Sequence, residues 1–65
     1  MKYIANMVRL IMFKIYGGVK IHEVSLQSIS DHEAIITAQS FYRNNGFIGR
    51  YYCETETGKT FQINY

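Results

Sequence analysis

Gly17 and Gly18 stand between two runs crowded with β-branched and aromatic residues, one ending at Tyr16 and the other starting at Val19. Glycine takes positive φ at no steric cost, and a tandem pair meets the backbone requirement of a two-residue hairpin turn. The pair therefore predicts an antiparallel hairpin of Val8 to Tyr16 with Val19 to Leu26. Hydrophobic spacing alone leaves residues 1–16 open, because Ile4, Met7, Val8, Ile11, Met12 and Ile15 follow the helical rule while Tyr3, Ala5, Met7, Ile11, Phe13 and Ile15 share a strand face. It is the glycine pair that favours the strand.

Counting outward from the turn sets Tyr16 against Val19, Lys14 against Ile21 and Phe13 against His22. Ile11, Phe13, Ile15, Val24 and Leu26 then share a face expected to point inward. The opposite face carries Leu10, Met12, Tyr16, Val19 and Ile21, and a hairpin apolar on both sides either lies in the middle of a sheet or meets a partner.

Ser30-Asp31-His32-Glu33 has the form of a capping box, with Ser30 as the cap, Glu33 reaching back and Asp31 complementing the helix dipole. The helix is predicted over Asp31 to Asn44, ended by Asn45-Gly46, with Ala34, Ile35, Ala38, Phe41 and Tyr42 on its buried stripe. Ile36, Gln39, Ser40 and Arg43 fall on the outer side, where an apolar Ile36 is unexpected. Phe47 to Glu54 and Thr60 to Tyr65 read as a second hairpin around the turn Glu56-Thr57-Gly58-Lys59. The expectation is a single α+β domain over residues 1–65, ββαββ, with one helix packed on a four-stranded, mainly antiparallel sheet; the helix-first alternative is αβαββ.

At 65 residues, with 48% hydrophobic and 15% aromatic side chains, the chain has the material for a core but not for a deep enzymatic cleft. A domain of this size buries about 60% of its unfolded surface and often relies on a staple or a second subunit. The lone Cys53 offers neither an intrachain disulfide nor paired zinc ligands, so the reading is an intracellular protein for which homodimerisation is a ready supplement. Lys2, Asn6, Arg9 and Lys14 interrupt the one apolar stretch, which falls short of the roughly 18 residues of a membrane span and lacks a small-x-small cleavage site. A cytoplasmic, unprocessed chain without membrane contact is expected; Met7 is an alternative start that would make the first six residues dispensable.

The net charge of +2 is small but uneven, since Lys2, Arg9, Lys14 and Lys20 all precede the first acid, Glu23. Gly58-Lys59-Thr60 ends like a phosphate-binding loop, but Cys53 stands where that motif needs its first glycine and the context is a β-turn rather than a strand-to-helix junction. His22, Asp31, His32, Glu33 and Cys53 have no ligand spacing, and Cys53 between Tyr52 and Glu54 reads as a small buried hydrophobe rather than a nucleophile. No catalytic, cofactor or metal residues and no small-molecule substrate are assigned, and a non-enzyme is expected. Protein binding suits the tyrosine excess, the outer Ile36 and the two-sided hairpin, with Leu10, Met12, Lys14, Tyr16, Lys20, Ile36 and Arg43 as the contact residues. A nucleic-acid-binding sheet is the alternative, using Arg43, Arg50, Tyr51, Tyr52 and Lys59 to pair charge with stacking rings.

The opening strand Val8-Arg9-Leu10-Ile11-Met12-Phe13, the second strand ending Glu23-Val24-Ser25-Leu26, the acid-opened helix and the two closing strands resemble, over Val8 to Ile63, the Dmd-type phage antitoxins that inhibit a host endoribonuclease toxin. The helix and last hairpin, Ser30 to Ile63, are also similar to small α+β anti-CRISPR proteins that cover DNA-binding surfaces of a defence complex. The resemblance implies a phage-encoded, non-catalytic anti-defence protein that sterically inhibits a host toxin, nuclease or defence complex in the host cytoplasm. It carries over no individual functional residue.

Overall fold

The computed structural model describes residues 7–64. In chain order the elements are β1 (Val8–Tyr16), β2 (Val19–Ser28), α1 (Asp31–Asn44), β3 (Tyr51–Thr55) and β4 (Thr60–Ile63). The ββαββ order is therefore the one adopted. The earlier part of the apolar N-terminal stretch and the end of the last expected strand, Tyr65, lie outside the described residues.

The sheet order is β2-β1-β3-β4 with every neighbouring pair antiparallel. Since β1 opposes both β2 and β3, those two run parallel with β1 between them, and a parallel pair needs a long crossover, which α1 supplies. One face of the sheet carries the helix, and among the described residues no helix or strand packs on the other.

The register begins as the glycine turn dictates, with Tyr16 opposite Val19 and Lys14 opposite Ile21, then shifts so that Met12 meets Val24 and Leu10 meets Leu26. Phe13 consequently faces two residues, His22 and Glu23, and His22 has φ of +55°. This is a β-bulge with its first residue in the left-handed region. Val24 and Leu26 point toward the helix as expected, but the β1 residues are the reverse of the expectation: Leu10 and Met12 share that face, and Ile11, Phe13 and Ile15 point away from it. Without the extra residue, Glu23, Ser25 and Gln27 would have faced the core, so burial of Val24 and Leu26 selects the bulged register.

Ser30 caps α1 with extended backbone, its Oγ accepting from the Glu33 N–H at 3.2 Å. At the other end the Phe47 N–H donates to the Tyr42 carbonyl at 3.0 Å and the Gly46 N–H to the Arg43 carbonyl at 3.2 Å, with Gly46 at φ +68°. That double closure is a Schellman motif, and the Phe47 ring packs 6.1 Å from the Tyr42 ring as its hydrophobic clasp. Phe47 is thus used to end the helix, and β3 starts at Tyr51 rather than at Phe47 as expected.

Ala34, Ala38 and Tyr42 of α1 close over Leu10, Met12, Tyr51, Cys53 and Ile63, with Leu26, Phe41, Phe47 and Phe61 around the margin. The two alanines, both 0% exposed, let the helix approach the sheet closely, while Ile35, expected on the same stripe, is 38% exposed. Burying a leucine- or methionine-sized side chain contributes about 1.5–3 kcal/mol, so Leu10 and Met12 are major stabilising residues in so small a core. Both ends of the two-layer arrangement are tied by polar contacts. The Thr57 hydroxyl donates to the Asp31 carboxylate at 2.6 Å, and the Tyr42 hydroxyl to the Gly49 carbonyl at 2.7 Å.

Candidate interaction surface

β1 and β2 remain paired out to Tyr16 and Val19, whereas β3 joins β1 only from Leu10 to Phe13. The end of the hairpin overhangs the sheet as a two-stranded arm in a molecule measuring 48 × 23 × 16 Å. Strand alternation puts Ile15 on one side of this arm and Tyr16 with Val19 on the other. All three are open to solvent, at 49%, 77% and 61% exposure.

The α1–β3 loop lies against the base of the arm. Lys14 Nζ sits 5.3 Å from the centre of the Tyr51 ring, and a methyl group placed on Gly49 would come within 3.1 Å of the same nitrogen. Tyr51 stacks on Phe47 at 4.9 Å, and Tyr42 meets Tyr51 edge-on at 5.7 Å, which gives the loop a rigid aromatic footing. From that footing Ile48 projects with 74% of its surface exposed.

Charge is segregated along the strand direction. Lys14, Arg43 and Arg50 belong to the end that bears the arm tip and the α1–β3 loop, Lys20 is paired with Glu54 and Glu23 stands at the bulge between the two ends, and Asp31, Glu33 and Glu56 belong to the end that bears the start of α1 and the β3–β4 turn. Arg9 and Lys59 lie among those acids. Arg9 donates its backbone N–H to Glu56 Oε2 at 3.0 Å.

On the face opposite α1, Phe13 is 2% exposed although it stands outside the main core cluster. Tyr52 stacks beside it at 6.0 Å, and Lys20 covers it with Nζ 4.6 Å from the ring centre on the way to Glu54. Beyond this cover, Phe13, Ile15, Tyr52, Glu54, Thr60 and Gln62 line an open depression of about 460 Å³.

Of the protein-contact residues expected from sequence, Lys14, Tyr16 and Arg43 belong to the basic end, whereas Lys20 turns to the opposite sheet face, over Phe13, and pairs with Glu54. Leu10 and Met12 do not join them: at 1% and 0% exposure they lie beneath the helix, where the bulge in β2 brings Val24 and Leu26 to their side of the sheet. Ile36 is 54% exposed on the outer side of α1, apart from the arm. The nucleic-acid set is dispersed. Tyr51 is buried, Tyr52 is half-buried on the opposite face, and Lys59 lies in the β3–β4 turn, the far end of β3 from Arg50. Ile48 escaped notice in the sequence, although an isoleucine in a short loop closed by Gly46 and Gly49 is the signal that could have marked it.

Cys53 is buried against Met12, and burial alone pushes its thiol from 9.0 up to about 12. A thiol held in that state is a poor nucleophile. Among the described residues no group of three or more His, Cys, Asp or Glu side chains converges as metal ligands, and no helix is long and apolar enough to cross a membrane. No family model matches the chain, and no curated protein or solved structure is significantly similar to it.

Proposed function

We propose that this protein is a non-catalytic, cytoplasmic binding module that docks on another protein through its hairpin arm and the adjoining α1–β3 loop, and so obstructs that protein's own contacts. The observation that carries the reading is the overhang of Ile15, Tyr16 and Val19 beyond the end of β3, next to the exposed Ile48. Branched aliphatic and tyrosine side chains held on a stiff scaffold lose little freedom on binding and bury large areas. The basic end adds electrostatic steering to that apolar centre. Dispersal of Arg43, Arg50, Tyr51, Tyr52 and Lys59 favours this reading over a nucleic-acid-binding sheet, which needs rings and cations on one face. Steric inhibition of a host factor is the role implied by the likeness in element order to small phage-encoded inhibitors.

The test is affinity purification of the tagged protein from its source cells, with and without nuclease, alongside Tyr16→Ser/Val19→Ser and Ile36→Asp. A stoichiometric protein that survives nuclease, is kept by Ile36→Asp and is lost by the double variant is the expected result. Recovery only of nucleic acid, or of proteins released by nuclease, contradicts it; loss through Ile36→Asp alone moves the contact to the outer face of α1.

A further inference from the structure

Resting on that reading, we infer that the arm and α1–β3 loop insert into a cleft of the partner protein that is apolar at its floor and lined by carboxylates at its rim. Two observations define the chemistry of that occupant. The first is shape: Ile15 leaves one side of the arm and Tyr16 and Val19 leave the other, at 49%, 77% and 61% exposure. A flat surface covers one side of such an arm only, whereas a cleft desolvates both.

The second is charge. Arg43 and Arg50 are exposed beside the arm, and Lys14 is held at its base by the Tyr51 ring, while Asp31, Glu33 and Glu56, with Arg9 and Lys59 among them, sit at the far end of the molecule. A partner rim bearing Asp or Glu complements this end, and a basic rim is repelled by it. The surface is accordingly ill suited to cover a basic nucleic-acid-binding groove and well suited to occupy an acidic one.

Other anionic occupants fit less well. The exposed apolar side chains are mainly isoleucine and valine, which do not stack on bases as an array of rings does. Gly17 and Gly18, at φ +60° and +80°, form the tip itself, and their bare backbone groups would go without partners in hydrocarbon but find them in a protein cleft.

The experiment places a photo-reactive benzoylphenylalanine at Val19, irradiates the protein in its source cells, maps the cross-linked peptide and then titrates the purified partner. Expected are a cross-linked segment rich in Asp and Glu, affinity falling about tenfold or more between low and physiological salt, a loss of about tenfold for Arg43→Gln/Arg50→Gln, and of at least about 30-fold for Tyr16→Ser/Val19→Ser. A neutral or basic segment with affinity indifferent to salt and to the arginine variant overturns the acidic cleft but leaves the arm as the binding surface. Indifference to the Tyr16→Ser/Val19→Ser variant, or the absence of any cross-linked protein, overturns both. Phosphatidylcholine vesicles with and without phosphatidylglycerol, and a 20-nucleotide oligothymidylate, serve as the competing anions. Binding to either that is abolished by the same variants assigns the surface to that polyanion and overturns the inference. Because residues 16 and 19 are exposed, their substitution leaves the fold intact, which thermal unfolding of each variant verifies.

Discussion

Lys20 reaches across β1 to Glu54, Nζ to Oε1 at 3.2 Å, with its ammonium 4.6 Å from the centre of the Phe13 ring that it covers. The two partners are each 46% exposed, so the ion pair itself is screened and contributes at most about 1 kcal/mol. The larger effect is the aliphatic stem laid along Phe13, which keeps a phenylalanine dry on the face opposite α1. Lys20→Met should therefore stay within about 0.5 kcal/mol of the parent protein in urea denaturation, while Lys20→Ala should lose about 1–1.5 kcal/mol. Equal losses for the two would assign the effect to charge instead.

At the bulge, His22 occupies a left-handed conformation at φ +55° that costs a side-chain-bearing residue about 1–2 kcal/mol. Glycine relieves that strain but is freer in the unfolded chain, which leaves a net gain of about 0.5–1 kcal/mol for His22→Gly. His22→Val should destabilise by about 1 kcal/mol or more, since a β-branched side chain tolerates the region worst. Opposite shifts of Tm in the two variants are the expected signature. If both variants lower Tm, the imidazole supports the bulge by some other contact.

This bulge also marks where the sequence ceased to be legible. The glycine turn, the Ser30 cap and the Asn45-Gly46 exit are local signals, and they placed β1, α1 and the tip of the hairpin correctly. A bulge is not local: it is selected because Val24 and Leu26 gain burial only if the chain inserts one residue opposite Phe13, and that gain exists only once the helix is packed. The same cause hid the true orientation of Leu10 and Met12, and with it the fact that Ile15, Tyr16 and Val19 stand exposed at the overhanging end while those two residues do not. Phe47 was misread for a related reason, as a helix clasp and a strand opening look alike in sequence until the Schellman bonds are seen. The lysine and arginine positions were legible, but the separation of Lys14, Arg43 and Arg50 from Asp31, Glu33 and Glu56 depends on which end of the sheet each element reaches.

The helix cap gives a further measurable consequence. Ser30 Oγ satisfies the Glu33 N–H, and its carbonyl also accepts the Ser28 hydroxyl at 2.6 Å, so the segment joining β2 to α1 is held by both residues. Ser30→Ala should cost about 1 kcal/mol, and Ser30→Asp, which can cap and also complements the dipole, should recover most of that. Helicity followed by circular dichroism during thermal melting distinguishes them; equivalence of the two would remove the cap from the account.

Cys53 couples the core to alkaline pH. Desolvation raises the folded thiol to about 12 from 9.0, so above pH 9 the unfolded chain ionises at this position while the native protein stays protonated. The unfolded state then binds fewer protons, and stability falls as pH rises: the contribution is complete below pH 9 and is lost progressively toward pH 12. Urea denaturation at pH 8 and pH 10.5 should show a smaller alkaline loss in Cys53→Ala than in the parent, although the variant begins from lower stability because it leaves a small cavity. The same burial predicts that the native thiol reacts with a disulfide reagent only through opening of the sheet, at a rate that follows the unfolding equilibrium. Rapid labelling under native conditions would mean that the β1–β3 seam opens on its own, and would make the centre of the sheet, rather than its ends, the mobile part of the fold.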